Sequence, residues 1–158
     1  MSDFLDLLET SSLAVYIRQS LWLYPVLEII HILGIVLLVG AAFMFDLRLL
    51  GFSKNLPVKG MANHLLPWSQ RGLILIVPSG ILLFITNAKA LGFDPTFWTK
   101  MILLVVAGLN VLVFHKLIFV QYADLKIPEK LPFAAKISAA ISIIVWIAII
   151  ACGRLLAY

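Results

Sequence analysis

Charge is the scarcest property of this sequence. Asp, Glu, Lys and Arg make up only 13% of its 158 residues, while 63% are apolar. A soluble domain runs nearer a quarter charged and half apolar, and one of this length could not hide so much apolar surface from water. Lipid must cover it, which excludes a water-soluble enzyme. The single cysteine, Cys152, excludes an internal disulfide and reads as a small apolar packing residue. No run of Lys or Arg occurs, so the net charge of +4 reads as membrane-topology signal, and no nucleic-acid partner is expected. A phosphate-cradling glycine loop, a metalloprotease His-Glu pair and a Gly-x-Ser-x-Gly turn are all absent. Met1, Met44, Met61 and Met101 are scattered, which disfavours a copper conduit built on thioether ligands. Asp3, Asp6 and Glu9 stand where a signal peptide would carry positive charge, so the first apolar run is expected to be retained.

What the chain does have is four apolar runs long enough to cross a bilayer, at about 21–45, 68–86, 97–120 and 133–155. Backbone polar groups in lipid must be satisfied within their own segment, and no barrel-like alternation is visible, so the expected fold is an all-α integral membrane four-helix bundle. Asp94-Pro95 predicts an N-cap followed by a proline at the first helical position, and Pro67 and Pro132 are expected at the mouths of spans two and four. Trp22, Trp68 and Trp98 lie at span ends, where indole suits the headgroup layer, whereas Trp146 lies inside span four and reads as packing. Ahead of the 21–158 transmembrane domain, apolar spacing over residues 1–20 predicts one amphipathic helix at the interface. The first and third loops with their flanks hold eight cations: Arg48, Lys54, Lys59, Arg71, Lys116, Lys126, Lys130 and Lys136. The other side holds four: Arg18, Lys89, Lys100 and Arg154. Positive-inside reasoning then puts both termini outside the cytoplasm.

Small residues mark where helices can approach in lipid. Ala135, Ser138, Ala139 and Ser142 form one stripe expected to face the bundle. Gly34 and Gly40, Gly72, Ser79 and Gly80, and Ala107 and Gly108 supply the other spans. Pro78 lacks an amide hydrogen and predicts a kink, with Ser79 placed to re-bond the loosened backbone.

Polar groups at membrane depth are the functional lead, because a charge at a helix centre costs roughly 2.5–3.5 kcal/mol even on the mild insertion scale. The candidates are Glu28, His31, Asn110 and His115, with Arg71 and Lys100 nearer the ends. Glu28 and His31 are three residues apart on one helix face, so the carboxylate could orient the imidazole. The same unit serves di-iron bundles, but the other spans offer no carboxylates for such a site. A membrane-buried imidazole otherwise packs by hydrogen bonding, ligates haem iron or relays protons. For ligation, Gly34, one turn beyond His31, would leave room for a flat ring. His31 sits about 13 Å past Trp22 and His115 about 25 Å past Trp98, so they are a poor pair for one haem. His115 and His64 belong to the same side, with His64 expected in the loop. Asn110 reads as interhelical glue. Lys100 either snorkels to the interface or reaches a haem propionate or anionic substrate. Asp46 and Arg48 read as a capped helix end with a surface ion pair.

His-Ile-Leu-Gly at 31–34, Gly40 and Asp46-Leu-Arg-Leu-Leu-Gly51 together resemble an uncharacterised family of small bacterial inner-membrane proteins. Trp68 to Gly72, and Phe97-Trp98-Thr99-Lys100 followed by Asn110 and His115, continue the resemblance. It implies a multi-pass protein of the bacterial inner membrane, and the cation count above places its termini in the periplasm. The layout is also remotely similar to copper-resistance protein D and to the HemJ type of protoporphyrinogen oxidase. The latter implies haem b at His31, with Lys100 matching that family's lysine. The leading expectation is therefore a haem-b-binding or haem-handling redox protein. His31 would be the metal ligand, Glu28 its orienting partner, and His115, Lys100 and Asn110 secondary. An ion or copper permease, lined by Glu28, His31, Asn110 and His115, is the second reading. A non-catalytic subunit of a larger complex is the third. Expected partners are the lipid bilayer, haem or a quinone, and a second copy of the chain.

Overall fold

The computed structural model of the protein describes residues 2–119 and 131–156. Val120, expected to end span three, and Lys126 and Lys130, two of the counted cations, lie outside the described residues. The elements are α1 (Ser2–Glu9), α2 (Ser12–Gln19), α3 (Leu23–Leu50), α4 (Val58–Thr86), α5 (Ala88–Gly92), α6 (Pro95–Val113) continuing into a π-helical segment (Phe114–Phe119), and α7 (Phe133–Leu155). No strand occurs among the described residues. Helices α3, α4, α6 with its continuation, and α7 are long and apolar enough to cross a membrane. With 28 residues, α3 is about 42 Å long, more than the hydrocarbon core requires. Ile29, Ile32, Val36, Ile74, Val77, Ile102, Val105 and Ile144 stay exposed along these helices, which suits a lipid surround. The protein is an all-α, four-span membrane bundle.

Local chemistry sets the ends. Asp94 accepts from the Thr96 amide at 2.6 Å ahead of Pro95, as its sequence predicted. Gly51 ends α3 at φ 109°, and bonds from Phe52 N to Leu47 O and from Gly51 N to Arg48 O close a Schellman turn. Helix α4 begins earlier than hydropathy suggested: Pro67 lies inside it rather than at its mouth, and His64 is on the helix rather than in the loop. Residues 58–66 are too polar to register as a span, yet they continue the helical backbone.

Residues 1–20 are two helices, not one. The break comes at Ser11, whose hydroxyl accepts from the Ala14 amide. Arg18 donates to Glu9 and to the Thr86 carbonyl, Lys89 pairs with Asp6 at 2.9 Å, and the Lys89 amide donates to Glu9 at 2.8 Å. Leu5 is buried over Gly92, where a Cβ would come within 2.6 Å of it. The acids of α1 therefore tie the N-terminal helices to the end of α4 and to α5.

In the bundle, α3 packs on α4, α7 on α3 and α6 on α7; α4 and α6 make no close backbone approach among the described residues. The tightest crossing is Gly34 against Gly72. A Cβ on Gly72 would sit 2.7 Å from both the Gly34 carbonyl and the Leu38 amide nitrogen. Gly34 thus serves helix contact, not clearance for a flat ring. Leu38, Val39, Ala107, Val145, Trp146 and Ile149 form the central core. The Ala135, Ser138, Ala139 and Ser142 stripe is buried, as its spacing predicted. Asn110 joins α6 to α7 reciprocally: its amide donates to the Ser138 carbonyl and its oxygen accepts from the Ser138 hydroxyl, both at 3.0 Å. Asn110→Leu should cost about 1 kcal/mol, read as a lower melting temperature of the detergent-solubilised protein. A melting curve unchanged by the substitution would refute the glue role.

Candidate functional site

The polar residues at membrane depth gather in two places. His31 and Asp46 are fifteen residues apart on α3, about 22 Å along the axis, so they belong to opposite halves of the bundle.

The first place lies toward the end that carries both termini. There His31 Nδ1 is 2.9 Å from the Ser79 hydroxyl of α4. That hydroxyl has one proton, and it is directed at the Leu75 carbonyl, 2.5 Å away. Ser79 must then accept from the ring, so Nδ1 carries the hydrogen and Nε2 presents its lone pair. The Ile76 carbonyl, which can only accept, also interacts with the ring. The ring packs over Gly80, where a Cβ would come 3.1 Å from Cε1. Ser79 is the one side chain that hydrogen-bonds the ring among the described residues. Glu28, expected to orient the imidazole, is exposed and makes no hydrogen bond to it. Sharing a face does not suffice, because α4 brings a hydroxyl closer than the helix's own carboxylate.

Lys100, on α6, completes this group. It is half-buried rather than out at the interface, with Nζ 3.8 Å from where a Gly153 Cβ would stand. Its charge acts on His31 across the bundle, and it makes no ion pair among the described residues.

The second place is near the α3–α4 loop. Asp46 and Arg48 do not form the surface ion pair their spacing suggested. Arg48 is 4% exposed and donates to the loop carbonyls of Leu56, at 2.7 Å, and Lys54, at 3.2 Å. Asp46, 7% exposed, turns instead into a cavity between the four long helices. Ser142 interacts with its carboxylate, and Oδ2 is buried with no hydrogen-bond partner among the described residues. Asn110 and His115 line the same cavity. His115 Nδ1 faces the Val111 carbonyl at 3.2 Å. His64 is exposed and lines neither this cavity nor the recess beside it.

The structure thus separates His31 and Lys100 from Asn110 and His115, and adds Ser79 to the first pair. Sequence reading missed Asp46, because the apolar run stops at Phe45 and an acid there looks interfacial. The signal available was Gly51: a helix stopped by that glycine carries Asp46 more than a turn inside its end. A family model described as a family of unknown function (DUF6644) matches residues 4–158. No curated protein and no solved structure matches the chain.

Proposed function

The chain belongs to this family of unknown function, and from its side chains we propose that it is a membrane redox protein binding haem b through His31. The observation that carries the reading is the Ser79 hydroxyl, which holds Nδ1–H and leaves Nε2 as a neutral donor. A histidine ligand ordinarily has its other nitrogen fixed in this way. The donor set fits one axial imidazole, because His115 lies in the opposite half of the bundle. Lys100 supplies an uncommitted cation suited to a haem carboxylate. Haem, when bound, supplies one-electron chemistry at its iron. The chain holds the imidazole in one tautomer, offers the ammonium and surrounds both with apolar helices. In the structure Arg71 stands midway along α4, beside the Gly72 crossing, and not near a span end. The cations at the α3–α4 loop end, Arg48, Lys54, Lys59, Lys116 and Lys136, then face Arg18, Lys89, Lys100 and Arg154, and it is the full sequence count, with Lys126 and Lys130, that supports periplasmic termini in a bacterial inner membrane.

The test is an absorption spectrum of protein purified in detergent with haem supplied during expression. A Soret band should appear, vanish in His31→Ala, and weaken in Ser79→Ala as haem affinity falls about tenfold. Wild-type protein without a Soret band, even after reconstitution, would refute the proposal.

A further inference from the structure

We propose that the cavity at Asp46 binds one monovalent hard cation of the sodium type, with the Asp46 carboxylate as its charged ligand. This site is independent of His31 and lies in the other half of the bundle.

The argument begins from the orphaned oxygen. Asp46 is 7% exposed, and its Oδ2 has no hydrogen-bond donor among the described residues. Buried carboxylates are ordinarily paired or bound to a cation. Arg48, the nearest guanidinium in sequence, is committed to the carbonyls of Lys54 and Leu56. Asp46 faces a cavity of about 100 Å³ instead. That is room for an ion with a few waters, and well short of the roughly 300 Å³ at which small-molecule pockets begin.

The wall chemistry selects the ion. In a wall that is otherwise mainly apolar, Ser69, Ser138, Ser142 and Asn110 are the other oxygen-bearing side chains lining the cavity beside Asp46. Asn110 Oδ1 accepts from the Ser138 hydroxyl at 3.0 Å, which fixes the amide at the wall. Oxygen donors of this kind suit hard cations, and thioether or thiolate ligands for soft ones are missing from the wall. Asp46 is the only acid lining the cavity among the described residues, so with these ligands a divalent ion would leave a net positive charge in an apolar bundle, whereas a monovalent ion is neutralised. No group of three His, Cys, Asp or Glu assembles among the described residues, which further disfavours a transition-metal site. An approach exists: a neighbouring recess lined by Asn63 and Gln70 of α4 shares Leu66 and His115 with the cavity.

The experiment compares melting of the purified full chain in detergent at mildly alkaline pH, in sodium chloride and in choline chloride at equal concentration. Sodium should raise the melting temperature by roughly 5 °C when well above its dissociation constant. Asp46→Asn, which keeps the shape but removes the charge, should abolish the shift. Ser142→Ala should weaken the apparent sodium affinity about tenfold while leaving the melting temperature in choline within a few degrees. Radioactive sodium should bind the wild type at one ion per chain, and this readout stands if Asp46→Asn purifies poorly, with Asp46→Glu and Ser142→Ala as the comparison. Identical melting in sodium and choline, with no bound sodium, would overturn the proposal in favour of a hydrated or protonated carboxyl. An equal sodium shift in wild type and Asp46→Asn would also overturn it.

Discussion

Replacing Gly72 by leucine should prevent α3 and α4 from closing, and the solubilised protein should aggregate or melt far below the wild type. The reason is where the new atoms would go. Even the first carbon of the side chain would lie 2.7 Å from the Gly34 carbonyl oxygen and 2.7 Å from the Leu38 amide nitrogen. Both are backbone atoms of α3, so neither can rotate away as a side chain could. Overpacking a core ordinarily costs about 1–3 kcal/mol, and a clash with backbone on two sides belongs at or beyond the upper end. Set against a total stability of roughly 5–15 kcal/mol, the loss is severe. Gly40 is the internal control, because a Cβ there meets nothing within 4 Å, and Gly40→Ala should melt like the wild type. The measurement is size-exclusion profile and melting temperature in one detergent. A monodisperse Gly72→Leu protein with wild-type melting would show that the helices do not cross at these glycines.

Arg48→Leu should cost about 3 kcal/mol and open the α3–α4 loop to protease. Arg48 is buried and its guanidinium closes the loop from beneath, donating to two carbonyls that no helix satisfies. Hydrogen bonds from a charged donor contribute about 1.5–3 kcal/mol each, but the loop carbonyls belong to exposed residues and water can partly replace the lost donor. Arg48→Lys keeps the charge but not the planar fork that spans both carbonyls, so it should recover about half of the loss. Limited proteolysis within 51–57, read beside melting temperature, separates a loosened loop from a collapsed bundle. Wild-type proteolysis and melting in Arg48→Leu would refute this role.

The limits of the sequence show in particular residues. The four spans were legible because a bilayer imposes length and apolarity on each helix by itself. The buried face of α7 was legible because small residues recur there at helical spacing. Asp94-Pro95 was legible because a cap needs only its own neighbours. The α4 start was not, since a polar helical extension such as 58–66 has no hydropathy signature. Glu28 was given to His31 because they share a face, while the hydroxyl that reaches the ring comes from a residue forty-eight positions away. Asp46 and Arg48 were paired because opposite charges two apart invite it, but side chains two apart on a helix point in different directions.

The sequence by itself determined that this is a four-span helical membrane protein, because the bilayer acts on each segment separately and leaves it no other backbone structure. Only the tertiary structure decided which polar groups meet: Ser79 at His31, Ser142 at Asp46, and Lys100 beside Gly153. Those meetings depend on how deeply antiparallel helices slide past one another, and that is set by the Gly34–Gly72 crossing and by the Ser138–Asn110 bond, neither of which any single helix encodes.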